Sequence, residues 1–176
     1  MDIELCQLSK VYYFNLQKYY KILKERNTLL KKMAKNVSLL EDTLDIWDKQ
    51  LCAYGTKLAD ERKNFIENLN LKAERIHCDI SASKESLKIE YKESVDYSNF
   101  YEKMVKNRDK DIFYGNTCVG IHKDDMVFYI NGNNARDYAS QGQQRTAALS
   151  LKLSEIYLVK EKIKDTPILL LDDVLS

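Results

Sequence analysis

The residues best suited to chemistry lie in Tyr138–Ser176. Two adjacent carboxylates, Asp172 and Asp173, directly follow Ile168-Leu169-Leu170-Leu171. Paired carboxylates offer hard oxygen ligands to a cation such as Mg²⁺ and can orient a water. Upstream, Ser140-Gln141-Gly142-Gln143-Gln144-Arg145 reads as a polar turn ahead of an apolar helix expected over about Thr146–Lys162. Such a turn suits an anion. Gly142 permits close backbone approach, the first helical N–H groups are unpaired, and the helix dipole is positive there. Ser140 stands where an N-cap belongs, and Arg145 adds charged, planar donors.

Particular elements must position these groups. Four consecutive large aliphatic residues suit a central parallel strand covered on both faces. Lys164-Asp165-Thr166-Pro167 breaks the chain between helix and strand. Carboxylates at the C-terminal end of such a strand sit where open α/β sheets bind ligands. Each piece also has a plainer use, since strands often end in solvated Asp-Asp loops and Ser-Gln-Gly often only caps a helix. The order of the pieces is more specific than any one of them.

SQGQQRT, ALSLKLSE and PILLLDDVLS resemble the signature motif, following helix and Walker B strand of the SMC-class ABC-type ATPases, with wording closest to the RecF family. GIHKDD at 120–125 resembles that family's G-P-H-R-D-D, departing from it at Ile121 and Lys123. The resemblance implies an α+β or α/β fold: a partial ABC-type ATPase head, with a mixed sheet and helices, bearing an antiparallel helical-hairpin arm. It further implies that Asp172 holds Mg²⁺ and that Asp173 is the catalytic carboxylate. Ser140, Gly142 and Gln143 would contact the γ-phosphate of ATP bound by a second copy, with Gln141, Gln144 and Arg145 supporting the turn. His122 would stand near a nucleotide site, although a turn carrying His122, Lys123, Asp124 and Asp125 is also an ordinary polar turn.

The family motif continues with Glu-Leu-Asp after the serine, and no G-x-x-x-x-G-K-[ST] loop occurs in these 176 residues. The chain is therefore expected to be a piece of a longer protein and inactive alone as an ATPase. The longer protein is expected to turn over slowly, with Asp173 where many relatives carry Glu. The implied setting is DNA repair and replication, DNA damage and the SOS response. The implied partners are double-stranded or gapped DNA, RecR, and a second copy paired through ATP, helping to load recombination proteins at gapped or junction DNA. Two other classes compete: a structural SMC-like head and arm that tethers DNA, and a non-catalytic interaction module. An arm of roughly Lys10–Ile80 is too short for a chromosome-spanning coil.

Composition narrows the remaining choices. Charged residues make up 31% and hydrophobic residues 44%, as in a helix-rich globular chain, and the net charge of +1 gives no global bias toward nucleic acid. Cys6, Cys52, Cys78 and Cys118 are widely spaced without a C-x-x-C pair, and two histidines are too few for a zinc site, so reduced cytoplasmic thiols are expected. No apolar run approaches about 18 residues and no signal peptide is visible, so no membrane contact is expected.

In chain order, residues 1–9 read as a strand leaving the head, and 10–80 as the arm. Tyr12, Leu16, Tyr19, Leu23, Leu30, Met33 and Val37 form one heptad-like stripe, broken at Arg26. Leu40, Leu44, Trp47, Leu51, Tyr54, Leu58, Phe65 and Leu69 form a second, interrupted at Glu61. The first helix is basic, and Lys18, Lys21, Lys24, Lys31 and Lys32 present either a solvated face or a phosphate-contacting surface. Glu41, Asp42, Asp45 and Asp48 make the start of the second helix acidic. His77 reads as structural. Residues 81–114 return toward the head through an alternating strand at Leu87–Tyr91 and a charged helix at Asn99–Lys110. Residues 115–176 complete the head part, with strands at Thr117–Val119 and Met126–Ile130 and a hairpin turn at Asn131-Gly132.

Overall fold

The computed structural model describes residues 1–34 and 41–163. Helices α1 (Asp2–Leu8), α2 (Lys10–Met33) and α3 (Glu41–Ile80) come first, and strand β1 (Leu87–Lys92) follows. Helices α4 (Phe100–Lys106) and α5 (Arg108–Tyr114), strands β2 (Asp125–Ile130) and β3 (Asn133–Asn134), and helices α6 (Ala135–Tyr138) and α7 (Gln141–Ile163) complete the order. These residues divide into two units: Met1–Asn64 with Tyr91–Asp125, and Phe65–Glu90 with the described residues from Met126 onward.

In the first unit, α2 and the front of α3 form the expected antiparallel hairpin. Arg62 Nε donates to Tyr12 Oη at 3.0 Å, and Arg26 Nε donates to Asp48 at 2.6 Å. The residue number rises by 14 on α2 as it falls by 14 on α3, which is the register of antiparallel helices. Leu29, Leu30, Met33 and Leu44 form a buried cluster between the two helices, with Trp47 and Ile112 against it. Gly55 permits a close approach, because a Cβ there would stand 2.7 Å from the Phe100 ring.

Three local expectations are corrected in this unit. Residues 2–8 are helical, not a strand. Asp2 is drawn in by Arg62, which donates to it through Nε at 3.1 Å and Nη2 at 2.7 Å, and Ser9 then caps α2 by accepting from Tyr12 N–H at 3.1 Å. Arg26 does not break the buried stripe but belongs to it, fully buried and ion-paired to Asp48 and Asp111. Thr117–Val119 is not a strand. Side chains satisfy its backbone instead: Asn27 accepts from Thr117 N–H at 2.8 Å, and Asp111 from Cys118 N–H at 2.9 Å.

Two of the acidic residues at the start of α3, Asp45 and Asp48, have internal partners. Asp48 is buried, and Asp45 pairs with Lys49 at 2.8 Å and Arg108 at 2.8 Å. Those partners, with the Tyr101 hydroxyl, hold the Asp45 carboxyl well below the usual carboxylate range.

In the second unit the sheet order is β1-β2-β3. Strand β1 covers the alternating stretch expected of it. Strands β2 and β3 pair antiparallel, with Ile130 opposite Asn133. Asn131 and Gly132 both take positive φ, 50° and 80°, the two-residue turn that Asn-Gly favours. The expected strand at 168–171, Asp172 and Asp173 lie outside the described residues.

Candidate functional site

Helix α7 begins at Gln141, five residues before its expected start at Thr146. The polar stretch is therefore the first turn of the helix rather than a turn in front of it. The local code explains this. Ser140 Oγ accepts from Gln143 N–H at 3.2 Å, and Gln143 Oε1 accepts from Ser140 N–H at 2.9 Å. That reciprocal pair is a capping box of the S-x-x-Q type. The Gln144 amide tethers the incoming chain, donating to Ala139 O at 3.2 Å.

The box leaves specific donors open. Gln143 and Gln144 N–H are bonded to Ser140, the latter to its carbonyl at 2.9 Å. Gln141 and Gly142 N–H then have no acceptor among the described residues. The Ser140 hydroxyl accepts a bond but keeps its own proton to donate. Gly142 faces open space: a Cβ there would meet only Ser140 Oγ, at 3.9 Å. Ser140, Gln141, Gly142, Gln144 and Arg145 are exposed, and Gln143 is half-buried. Two N–H groups, a hydroxyl and the positive end of a 23-residue helix together make an anion-accepting surface.

Two residues absent from the sequence-derived candidates complete this site. Gln143 Nε2 donates to Glu85 Oε1 at 2.9 Å. Glu85 Oε2 lies 3.3 Å from Nε2 of His77, which is fully buried. His77 Nδ1 in turn meets Ser150 Oγ at 3.1 Å on α7. Nothing in the local pattern around Glu85 points to Gln143, 58 residues away.

The turn at 120–125 belongs to the first unit, with His122 and Asp124 half-buried and Lys123 and Asp125 exposed. His122 sits in a 3₁₀ turn, Ile121–Lys123. Its Nδ1 is 2.8 Å from Tyr19 Oη and its Nε2 is 3.0 Å from Thr117 O. Thr117 O only accepts, so the neutral ring carries its proton on Nε2, and Tyr19 donates to Nδ1. Burial lowers the His122 pKa. Asp124 accepts from the Tyr91 and Tyr97 hydroxyls and from Ser94 N–H.

Lys18, Lys21, Lys24, Lys31 and Lys32 are all exposed on α2. The Lys18 ammonium lies 5.3 Å from the centroid of the Phe14 ring. Among the described residues, no group of three or more His, Cys, Asp or Glu side chains is placed to hold a metal. No described helix is long and apolar enough to cross a membrane.

Comparison with known proteins supplies the context. No family model matches the chain. Over its whole length it is 54% identical to the DNA replication and repair protein RecF of Lachnospira eligens, 53% to that of Lachnoclostridium phytofermentans and 45% to that of Bacillus thuringiensis. It covers 49%, 49% and 50% of those proteins, so the chain spans about half the length of the curated relatives it matches. A solved structure of the recombination mediator protein RecF-ATP in the RecFOR pathway superposes with a TM-score of 0.92 at 37% identity, over 99% of this chain and 48% of that one. The corresponding RecF-ATPrS structure gives a TM-score of 0.90 at 37% identity, over 99% and 49%.

Proposed function

We propose that this chain, which belongs to the RecF family, supplies the signature turn and arm of an ATPase that acts in DNA replication and repair by pairing two copies around ATP. The observation that carries the reading is Gly142. A glycine inside a helix costs about 1 kcal/mol relative to alanine, yet no described residue fills the space its missing Cβ leaves. The gap adjoins two open N–H groups and the Ser140 hydroxyl, as an incoming phosphate requires.

In this reading Ser140 donates its hydroxyl proton and Gly142 its N–H proton to the γ-phosphate of ATP held by the second copy, and Gln143, assigned to the same phosphate, also shapes the turn through its capping bonds. Gln141, Gln144 and Arg145 support the turn, and the Gln141 N–H adds a donor beside it. A diphosphate leaves these donors without an acceptor, so the triphosphate state alone favours the pair. Asp172 and Asp173 are the residues assigned to Mg²⁺ and to orienting the attacking water; bound Mg²⁺ would offset the charge of the phosphates. The exposed lysines of α2 are assigned to the DNA backbone, and RecR to the protein partners. Similarity along the whole chain and the ATP named with the solved relatives support this assignment.

The test uses the full-length protein that carries this chain, its mass followed by light scattering with and without ATP and Mg²⁺. Wild type should double in mass with ATP. Ser140→Arg, which fills the anion surface, should keep its fold and stay single. A Ser140→Arg variant that still pairs, or a wild type that never does, would overturn the reading. Charge reversal at Lys18, Lys21 and Lys24 should weaken DNA binding and flatten its salt dependence, with a loss of about 0.9 in log–log slope per phosphate contact. An unchanged slope would remove α2 from the DNA surface.

A further inference from the structure

We propose that Glu85 is a positioning residue for the signature turn and that the buried His77 braces it. The inference deepens the function proposed above and rests on it. Gln143 is held at both ends, its carbonyl by Ser140 N–H at 2.9 Å and its amide by Glu85 at 2.9 Å. An amide pinned twice keeps one rotamer, and the reciprocal cap then fixes where Ser140 Oγ stands.

Glu85 is itself anchored. Its backbone N–H donates to Ser81 Oγ at 3.3 Å, and its second carboxylate oxygen faces His77 at 3.3 Å. His77 Nε2 makes no aligned hydrogen bond, so this is a close packing contact rather than a directed bond. His77 Nδ1 returns to α7 at Ser150, whose hydroxyl donates to Thr146 O at 2.8 Å. The start of α7 is thus tied at residues 143 and 150 to the end of α3 and the turn after it. Glu85 has no role at the phosphate itself. Its carboxylate would repel an anion, and it acts through Gln143.

The test is a double-mutant cycle on ATP-driven pairing of the full-length protein. Glu85→Ala should raise the ATP concentration for half-pairing about tenfold, or about 1.4 kcal/mol. Glu85→Gln keeps an acceptor for Gln143 Nε2 and should restore most of the loss. Adding Glu85→Ala to Gln143→Ala should cost nothing further. Pairing of Glu85→Ala at wild-type ATP, or additive losses in the double variant, would overturn the proposal. Hydrogen exchange of residues 140–146 reads the same link without ATP and should be faster in Glu85→Ala. Unchanged exchange would overturn the link even if wild type failed to pair, a failure that would count against the pairing function alone.

Discussion

Two polar clusters in this chain follow opposite rules. Arg26 is fully buried, with Nε on Asp48 at 2.6 Å and Nη1 on Asp111 at 2.7 Å and Thr117 at 2.8 Å. Only its Nη2 lacks a partner among the described residues. The start of α7 is exposed, and two of its N–H groups and a hydroxyl proton have no acceptor among the described residues. A buried charge must close its bonds inside the protein, because leaving it open costs several kcal/mol. An exposed donor costs little while water covers it, so it can be reserved for a ligand. The same contrast separates two glycines. Gly120 holds φ 125° where a Cβ would stand 2.4 Å from Tyr19 Oη, whereas Gly142 faces open space.

The sharpest way to break this contrast is to open the closed cluster. Asp111→Ala leaves the fully buried Arg26 short of a carboxylate and should cost about 3–5 kcal/mol. Urea unfolding of the full-length protein would measure it, and a loss below about 1 kcal/mol would mean the Arg26 cluster is not closed in solution. Filling the open site should do the reverse. Gly142→Ala should leave stability unchanged or raise it by about 0.5–1 kcal/mol, while ATP-driven pairing weakens about tenfold, or 1.4 kcal/mol. A destabilised alanine variant would show that the space is used inside the fold.

The smallest effect expected is the pH response of His122. Burial makes its ring a poorer base in the folded chain. As pH falls through the ordinary histidine value of about 6.5, the unfolded chain takes up the proton first. Stability is therefore intact above that pH and is lost below it. His122→Gln should flatten the profile between about pH 7 and 5.5. A variant with the same slope as wild type would assign the response to other groups.

Much of this protein is legible from local patterns. The Asn131-Gly132 turn, the alternation of β1 and the periodicity of α2 and α3 need only neighbouring residues, because φ preference and side-chain direction are local properties. The capping box was also present in the sequence, as Ser140 followed three residues later by Gln143. Its glycine made the stretch read as a turn. The SQGQQR string marks the candidate region by itself, since its residue types and order are specific.

Other features were set by residues far apart in the chain. Residues 2–8 are helical where Arg62 captures Asp2, 60 positions away. Thr117–Val119 stays irregular because Asn27, 90 positions away, takes the Thr117 N–H that a strand would have paired. Arg26 looked like a break in an apolar stripe, and only the arrival of Asp48 and Asp111 makes it a core residue. Glu85 meets Gln143 for the same reason. Sequence by itself determined which helices, turns and signature residues exist, because those depend on short-range geometry. Tertiary structure decided which charges are closed and which donors stay open, because each needs a partner that only the folded chain brings near.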